Sequence, residues 1–346
     1  ACSRGDLTPV RNHGMVRNEN TGMVLGNGYQ EIGRFSSDFE VLGEIGNGSF
    51  GTVYKVKSRL DGCTYAVKEA KRAAKGMSDR NRMLKEVYAL AALSDETDSS
   101  AFHIVRYHQA WMEENRLYIQ TELCTCTLQQ ETMAGPLNEK RLYKLLREIL
   151  LALELIHRND MVHLDIKPEN IFEKKSQFKL GDFGLVNKAS IHRDVEEGDS
   201  RYMSKELMEG NHDDLTKSDI FSLGATMYEV CRGKWLPSSG EEWQSIRNGK
   251  LSPMPNIPKQ LRETIIDMTN PNPSLRPSAS DLLQRRFLMS DEQRELIIEK
   301  NKVTEANRAL AIQMERLKRI SPVPKPNRLL IRRTTWDVDM MNKNGI

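Results

Sequence analysis

Cysteine is scarce in this chain, with five among 346 residues. Cys2, Cys63, Cys124, Cys126 and Cys231 fall into no metal-ligand spacing. Cys124 and Cys126 have one residue between them and no second cluster to complete a site, which excludes a zinc-ribbon type of centre. An odd count in a chain of this length argues against a disulfide scaffold and suits a reducing compartment, the nucleus or the cytoplasm. Long apolar runs are also lacking. The richest stretch, Ile149 to Leu153, is cut by Glu154, far short of the roughly 18 residues that a membrane-spanning helix needs. No transmembrane segment is expected, although a peripheral contact with a membrane stays open. The N-terminus carries no apolar signal region; it begins at Ala1 and not at Met, which leaves an upstream segment open. A surplus of one charge sign is missing too. Fifty-one basic residues face 48 acidic ones, a net charge of +3, and this balance argues against a dedicated nucleic-acid binder.

The pattern along the chain changes three times. Residues 1–36 are rich in Gly, Asn and Arg, lack periodicity and read as a flexible extension. Strand character begins at Phe39. Phe39 and Val41, then Thr52, Tyr54 and Val56, alternate as half-buried strands do. A third strand, Thr64 to Lys68, follows the turn at Asp61-Gly62, and further strands are expected at 104–110 and 116–123. Between them, residues 79–93 read as a helix with Glu86, Leu90 and Leu93 on one face. From Asn138 the chain turns helical. Leu142, Leu145, Leu146, Ile149 and Leu153 form one apolar stripe, and Asp219 to Val230 is nearly all apolar, which suits a helix buried on all sides. The fold class is therefore α+β, with a β-rich front lobe at 37–123 and an α-helical back lobe at 124–288. Residues 289–346 read as a helical and then basic, Pro-containing tail. Leu296, Val303, Leu310 and Leu317 recur every seven residues there, but the partner positions Glu299, Ala306 and Gln313 are poor coiled-coil core.

Four motifs carry chemistry. Ile45 precedes Gly46-Asn47-Gly48-Ser49-Phe50-Gly51-Thr52-Val53, which fits G-x-G-x-x-G-x-V. Its glycines let the backbone approach phosphates closely, and Phe50 can cap them. It joins two expected strands, whereas a dinucleotide-binding loop would lead into a helix. Lys68, in Ala66-Val67-Lys68, lies 22 residues after Gly46, and Glu86 on the following helix is its best carboxylate partner. Glu69 points to the other strand face. His163-Leu164-Asp165-Ile166-Lys167-Pro168-Glu169-Asn170 then supplies a base, a cation and an amide within six residues. A second acid, Asp182, follows Asp165 by 17 residues in Gly181-Asp182-Phe183-Gly184.

Together these segments resemble the protein kinases, over residues 37–288. The resemblance implies the bilobal protein kinase fold, with ATP and Mg2+ as cofactors. It implies Asp165 as the base that takes the substrate hydroxyl proton, Lys167 at the γ-phosphate, and Lys68 on the α- and β-phosphates, held by Glu86. Asn170 and Asp182 are then the metal ligands, and residues 45–53 with Ala66 line the nucleotide. Glu206 stands where kinases carry Ala-Pro-Glu and is expected to pair with Arg276.

Finer features resemble the Wee family of kinases that inhibit mitotic cyclin-dependent kinases. They are Glu196 to Tyr202, His103 to Tyr107 with Ala110-Trp111, and Leu236-Pro237 with Trp243 and Ile246-Arg247. Tyr118 to Cys124 with Leu128-Gln129-Gln130, and Leu164 beside Asp165, are similar to the Myt branch, whose usual membrane segment this chain does not show. By that resemblance Thr121 is the gatekeeper, and Glu122 and Cys124 offer backbone groups to adenine. The implied substrate is a cyclin-dependent kinase bound to its cyclin, phosphorylated on the tyrosine of its ATP loop, with or without the neighbouring threonine. Asp165-x-Lys167 by itself is the serine/threonine pattern. The alternative is a stress-type kinase acting on a translation initiation factor, which normally has a Thr where Gly198-Asp199-Ser200-Arg201-Tyr202 has none.

Two further readings concern regulation and docking. Leu164 replaces the Arg that in many kinases receives an activation-loop phosphate, so activity is expected without phosphorylation between Asp182 and Glu206. In the tail, Arg328 and Leu330 fit a short R-x-L cyclin-docking pattern, and Ser321-Pro322 reads as an ordinary linker.

Overall fold

A computed structural model gives the fold. It describes residues 33–320, apart from 50, 95–97, 191–194 and 197. The readings on Arg328, Leu330 and Ser321 lie outside these residues. The chain divides into one unit ending at Met289 and a second beginning at Ser290.

The first lobe opens with a short helix α1 (Arg34–Asp38) and strands β1 (Phe39–Asn47), β2 (Gly51–Ser58) and β3 (Thr64–Ala70). Helix α2 (Met77–Ser94) and strands β4 (Tyr107–Glu113) and β5 (Arg116–Glu122) complete it. The sheet is antiparallel in the order β1-β2-β3-β5-β4. On one face Phe39, Trp111 and Tyr118 stack, with ring centroids 5.7 and 5.2 Å apart. Phe35 of α1 adds to this cluster, 5.2 Å from Tyr118.

Two sequence expectations fail here. Val41 does not share the buried face of Phe39: it is 48% exposed. The pairing of β1 with β2 slips between Val41 and Gly43 and again between Glu44 and Gly46, so side chains along this edge strand leave the strict alternation that a regular ladder imposes. The fourth strand begins at Tyr107 and not at residue 104, because Ile104 bridges in parallel to Leu180 of the other lobe.

The second lobe is built on helices. They are α3 (Leu128–Ala134), α4 (Glu139–Arg158), α5 (Lys205–Met208), α6 (Leu215–Arg232), α7 (Glu241–Arg247), α8 (Lys259–Met268) and α9 (Ala279–Leu283). Five short strands lie between them: β6 (Cys126–Thr127), β7 (Met161–Val162), β8 (Ile171–Lys174), β9 (Gln177–Leu180) and β10 (Asn187–Lys188). The Asn138 side chain caps α4 by accepting from Arg141 N at 2.9 Å, and the stripe Leu142, Leu145, Leu146, Ile149 and Leu153 is buried. Every residue of α6 from Ser218 to Val230 is buried, as a helix apolar on all sides requires.

Glu206 of α5 pairs with Arg276, whose side chain is wholly buried, with Nη2 2.9 Å from Oε2. Burial would push the Glu206 carboxyl up, but the hydrogen bonds and charge of Arg276 outweigh it and hold it below its ordinary value of 4.5. A depressed folded-state value stabilises the fold above the unfolded value, and that stability is lost as the pH falls through the folded one. Glu206→Gln should therefore flatten the loss of stability below about pH 4.5, read from urea midpoints between pH 7 and 3. An unchanged acid slope would exclude this pair from acid unfolding.

In the second unit, α10 (Asp291–Ile320) is one continuous helix. Its start is a reciprocal cap, Ser290 N to Gln293 Oε1 at 2.9 Å and Gln293 N to Ser290 Oγ at 3.2 Å.

Candidate active site

The glycine-rich segment forms the tip of the β1–β2 hairpin. Gly46 and Asn47 end β1, and Gly51, Thr52 and Val53 begin β2. Gly48 N donates to Gly51 O at 3.0 Å. Gly51 has a steric reason to be glycine, since a Cβ there would lie 2.6 Å from the Glu69 carbonyl oxygen of β3. Gly48 faces open space. Ile45 is half exposed and Ser49 exposed on the same hairpin, and Phe50 lies outside the described residues.

Lys68 extends from β3 toward α2. Its Nζ lies 2.9 and 3.1 Å from the two Glu86 oxygens and 2.7 Å from Asp182 Oδ1. Glu86 reaches it because Leu90 and Leu93, on the same face of α2, are buried and fix the helix phase. Burial alone would lower the Lys68 ammonium, but the two carboxylates outweigh it and raise it well above its ordinary value. Burial likewise opposes the ionised Asp182, and the Lys68 charge holds that carboxyl below its usual range. The site thus favours a cation at Lys68 next to an anion at Asp182. Ala66 is buried on β3, and Thr121 stands opposite it on β5.

At the junction of the lobes, Glu122 gives its N–H to Arg106 O at 2.9 Å. Its carboxylate is held by Lys174 and Lys179 at 2.8 and 2.9 Å. Cys124 follows on an irregular segment, and burial pushes its thiol up to about 12. It is therefore a poor nucleophile at neutral pH.

Asp165 is the centre of the second half. Its Oδ1 lies 3.0 Å from Lys167 Nζ, and its Oδ2 accepts from Asn170 Nδ2 at 2.8 Å. Asn170 Nδ2 also reaches the Asp165 carbonyl oxygen at 2.8 Å, which leaves the amide oxygen as the atom able to bind a metal. Asp199 N donates to Asp165 Oδ1 at 3.2 Å. This contact depends on Gly198, where a Cβ would sit 2.4 Å from Leu164 O and 3.1 Å from Asp165 Oδ1. Gly198 and Asp199 therefore lie directly against the base.

Sequence reading missed the residue that shapes this loop. Asp219, fully buried in α6, accepts from His163 N at 2.9 Å, from Leu164 N at 2.8 Å and from His157 Nε2 at 2.9 Å. Leu164 has φ +65° and Asp182 φ +57°, left-handed conformations that cost a non-glycine residue about 1–3 kcal/mol each and persist only when their surroundings enforce them. The signal is an acid at the head of a mostly apolar run, since a buried carboxylate must find donors. Leu164 itself is 5% exposed and clusters with Val162, Met203, Leu207 and Leu215. An apolar contact thus joins the catalytic loop to the segment near Met203.

Of the residues singled out from the sequence, the structure brings Lys68, Glu86 and Asp182 into one contact set and Asp165, Lys167 and Asn170 into another. Asn170 N donates to Lys167 O, and Gly181 N to Asn170 O, which ties the loop to the Asp182 segment.

Comparison with known proteins accounts for this arrangement. Residues 39–288 match the protein kinase domain family. The chain is 40% identical over 253 residues to a Wee1-like protein kinase of Oryza sativa subsp. japonica, covering 73% of this chain and 48% of that one. It is 36% identical to Wee1-like protein kinase 2 of Sus scrofa, covering 80% and 54%. With the Wee1-like protein kinase of Drosophila melanogaster the identity is 32%, covering 86% and 56%. The chain thus spans about half the length of these relatives. A solved kinase-domain structure superposes with a TM-score of 0.62 at 18% identity, over 73% of this chain and 96% of that one, and shares the fold. The chain belongs to the protein kinase family, and within it to the Wee-like kinases.

Proposed function

We propose that the protein is an ATP-dependent kinase that phosphorylates a cyclin-dependent kinase, bound to its cyclin, on the tyrosine of its ATP-binding loop and so restrains entry into mitosis. The observation that carries the reading is the complete acid–base and phosphate-holding set. Lys68, Glu86 and Asp182 are within 3.1 Å of one another through Nζ, and Asp165, Lys167 and Asn170 meet at 2.8–3.0 Å. The Wee-like relatives supply the substrate class.

The residues fit the nucleotide and a hard divalent cation. Gly51 lets the hairpin close onto β3, Lys68 offers a fixed positive charge, and Asn170 and Asp182 offer hard oxygens. So small a donor set suits Mg2+, which commonly binds one or two carboxylates together with substrate phosphates. When bound, ATP supplies the phosphoryl group and the cation neutralises its charge. Asp165 would take the substrate hydroxyl proton, and Lys167 stands beside it, 2.8 Å from Asp165 Oδ2. The neutral loop clamp from Asp199 N fixes the base without removing its charge.

The stress-type alternative is not favoured, because Asp199 stands against Asp165 where those kinases present a threonine. A kinase assay on a cyclin-dependent kinase with its cyclin, run beside the translation initiation factor, separates the two. Transfer to the initiation factor alone would overturn the proposal.

We also expect activity without loop phosphorylation. The position that would hold a phosphate-binding Arg is Leu164, packed against Met203 and Leu207. Enzyme treated with phosphatase should retain its rate; a tenfold loss would show that another basic residue takes over the role.

A further inference from the structure

Arg247 presents a problem that phosphoryl transfer does not explain. Its residue is 2% exposed, yet no carboxylate pairs with it among the described residues. Burying an unpaired guanidinium is costly unless its donors are satisfied. Here the partners are main-chain carbonyls. Nη2 donates to Ser200 O at 2.5 Å and Arg201 O at 3.1 Å, and Nη1 donates to Trp243 O at 3.0 Å. The guanidinium lies 3.9 Å from the Trp243 ring centroid, and Nε has no hydrogen-bond partner among the described residues. The indole contributes a second donor to the same carbonyl, Trp243 Nε1 to Ser200 O at 3.0 Å.

The Ser200 and Arg201 carbonyls belong to the segment that follows the base clamp. Asp199 N is on Asp165 Oδ1. The next two carbonyls are taken by α7, and the third, Tyr202 O, accepts from Ser222 Oγ of α6 at 3.0 Å. Every backbone acceptor from Ser200 to Tyr202 is thus held from the second lobe. The Tyr202 hydroxyl adds an anchor on Glu229 Oε2 at 2.9 Å. A chain so held next to the base presents a fixed edge to whatever brings a hydroxyl to Asp165. The residues proposed to hold the nucleotide phosphates lie elsewhere, on the β1–β2 hairpin and at Lys68.

We propose that Trp243 and Arg247 are positioning residues for the protein substrate: they fix the main chain at Ser200 and Arg201, so that a polypeptide is seated with its hydroxyl at Asp165, and they have no part in holding ATP. The proposal rests on the phosphotransferase reading. A residue that merely stabilised α7 would weaken all functions of the domain together; a positioning residue separates them.

Trp243→Phe removes one neutral donor and keeps the ring over Arg247. It should raise KM for the protein substrate by about 2- to 10-fold, the loss of one hydrogen bond, with KM for ATP unchanged. Arg247→Lys keeps the charge but loses the fork and should raise it by roughly 10-fold or more. Both should speed amide exchange at residues 199–203 and leave 165–170 protected, a readout that needs no activity. If Arg247→Lys fails to fold, Trp243→Phe carries the test alone. The proposal is overturned if Trp243→Phe leaves protein KM and exchange at 199–203 as in the parent, or if protein and ATP KM rise together. A parent enzyme that transfers no phosphate would sink the proposed function, while the exchange measurement would still decide the role of α7.

Discussion

Replacing Asp165 by Asn should cut phosphoryl transfer by roughly 10²- to 10⁴-fold, the usual worth of a positioned general base. Four contacts converge on this carboxylate and its loop: Lys167 Nζ and Asp199 N on Oδ1, Lys167 Nζ and Asn170 Nδ2 on Oδ2. All are donors, so an ionised carboxylate with two accepting oxygens satisfies them and an amide does not. Asn keeps one acceptor and turns an NH2 toward a donor, at a cost of about 1–3 kcal/mol for the group left unsatisfied. The domain should stay folded, and binding of ATP through Lys68, on the other half of the site, should persist. Turnover measured at saturating ATP, beside a nucleotide-binding titration, checks both halves of the expectation. A rate within tenfold of the parent would mean that another group takes the proton.

Asp219→Ala should be the most damaging single change for stability among the site residues, at about 3–5 kcal/mol. The side chain is fully buried and collects three donors, His163 N, Leu164 N and His157 Nε2. Its removal leaves two backbone N–H groups without partners inside the core, each worth about 1–3 kcal/mol. It also releases the left-handed conformation at Leu164, one residue before the base. Activity should therefore fall even at temperatures where the domain is folded. Asp219→Asn tests the geometry separately: its single oxygen can accept from only part of this set, so it should lie between the parent and Ala in both denaturant midpoint and rate. Equal stability of the parent and Ala variants would show that the loop is held by its apolar contacts alone.

Much of the site was legible because its residues announce themselves by spacing on simple elements. Lys68 sits in a strand, and Glu86 shares a helix face with Leu90 and Leu93, so the phase that buries the leucines also aims the carboxylate. The α4 stripe and the burial of α6 followed from periodicity in the same way. What escaped were contacts made by backbone and by single buried polar groups. Gly198 reads as one more glycine, and only the 2.4 Å between its absent Cβ and Leu164 O shows why nothing larger fits. Asp199 gives Asp165 a main-chain N–H, which no side-chain pattern encodes. Asp219 was read as part of an apolar run. Val41 was assigned by alternation, and the bulged pairing of β1 broke the alternation. Leu164 was identified as a missing phosphate receiver; its place in a cluster with Met203 and Leu207 became visible only in three dimensions.

The chain spans about half the length of its Wee1-like relatives, and the identity of the substrate is the central claim. The direct measurement is mass-spectrometric mapping of phosphate on a cyclin-dependent kinase–cyclin complex incubated with this protein and ATP, with Asp165→Asn as the control. Phosphate is expected on the tyrosine of the substrate's ATP-binding loop, with or without the adjacent threonine, and none with Asp165→Asn. Phosphate confined to serine or threonine elsewhere on the complex, or none on it at all from an enzyme that is active on other proteins, would contradict the claim.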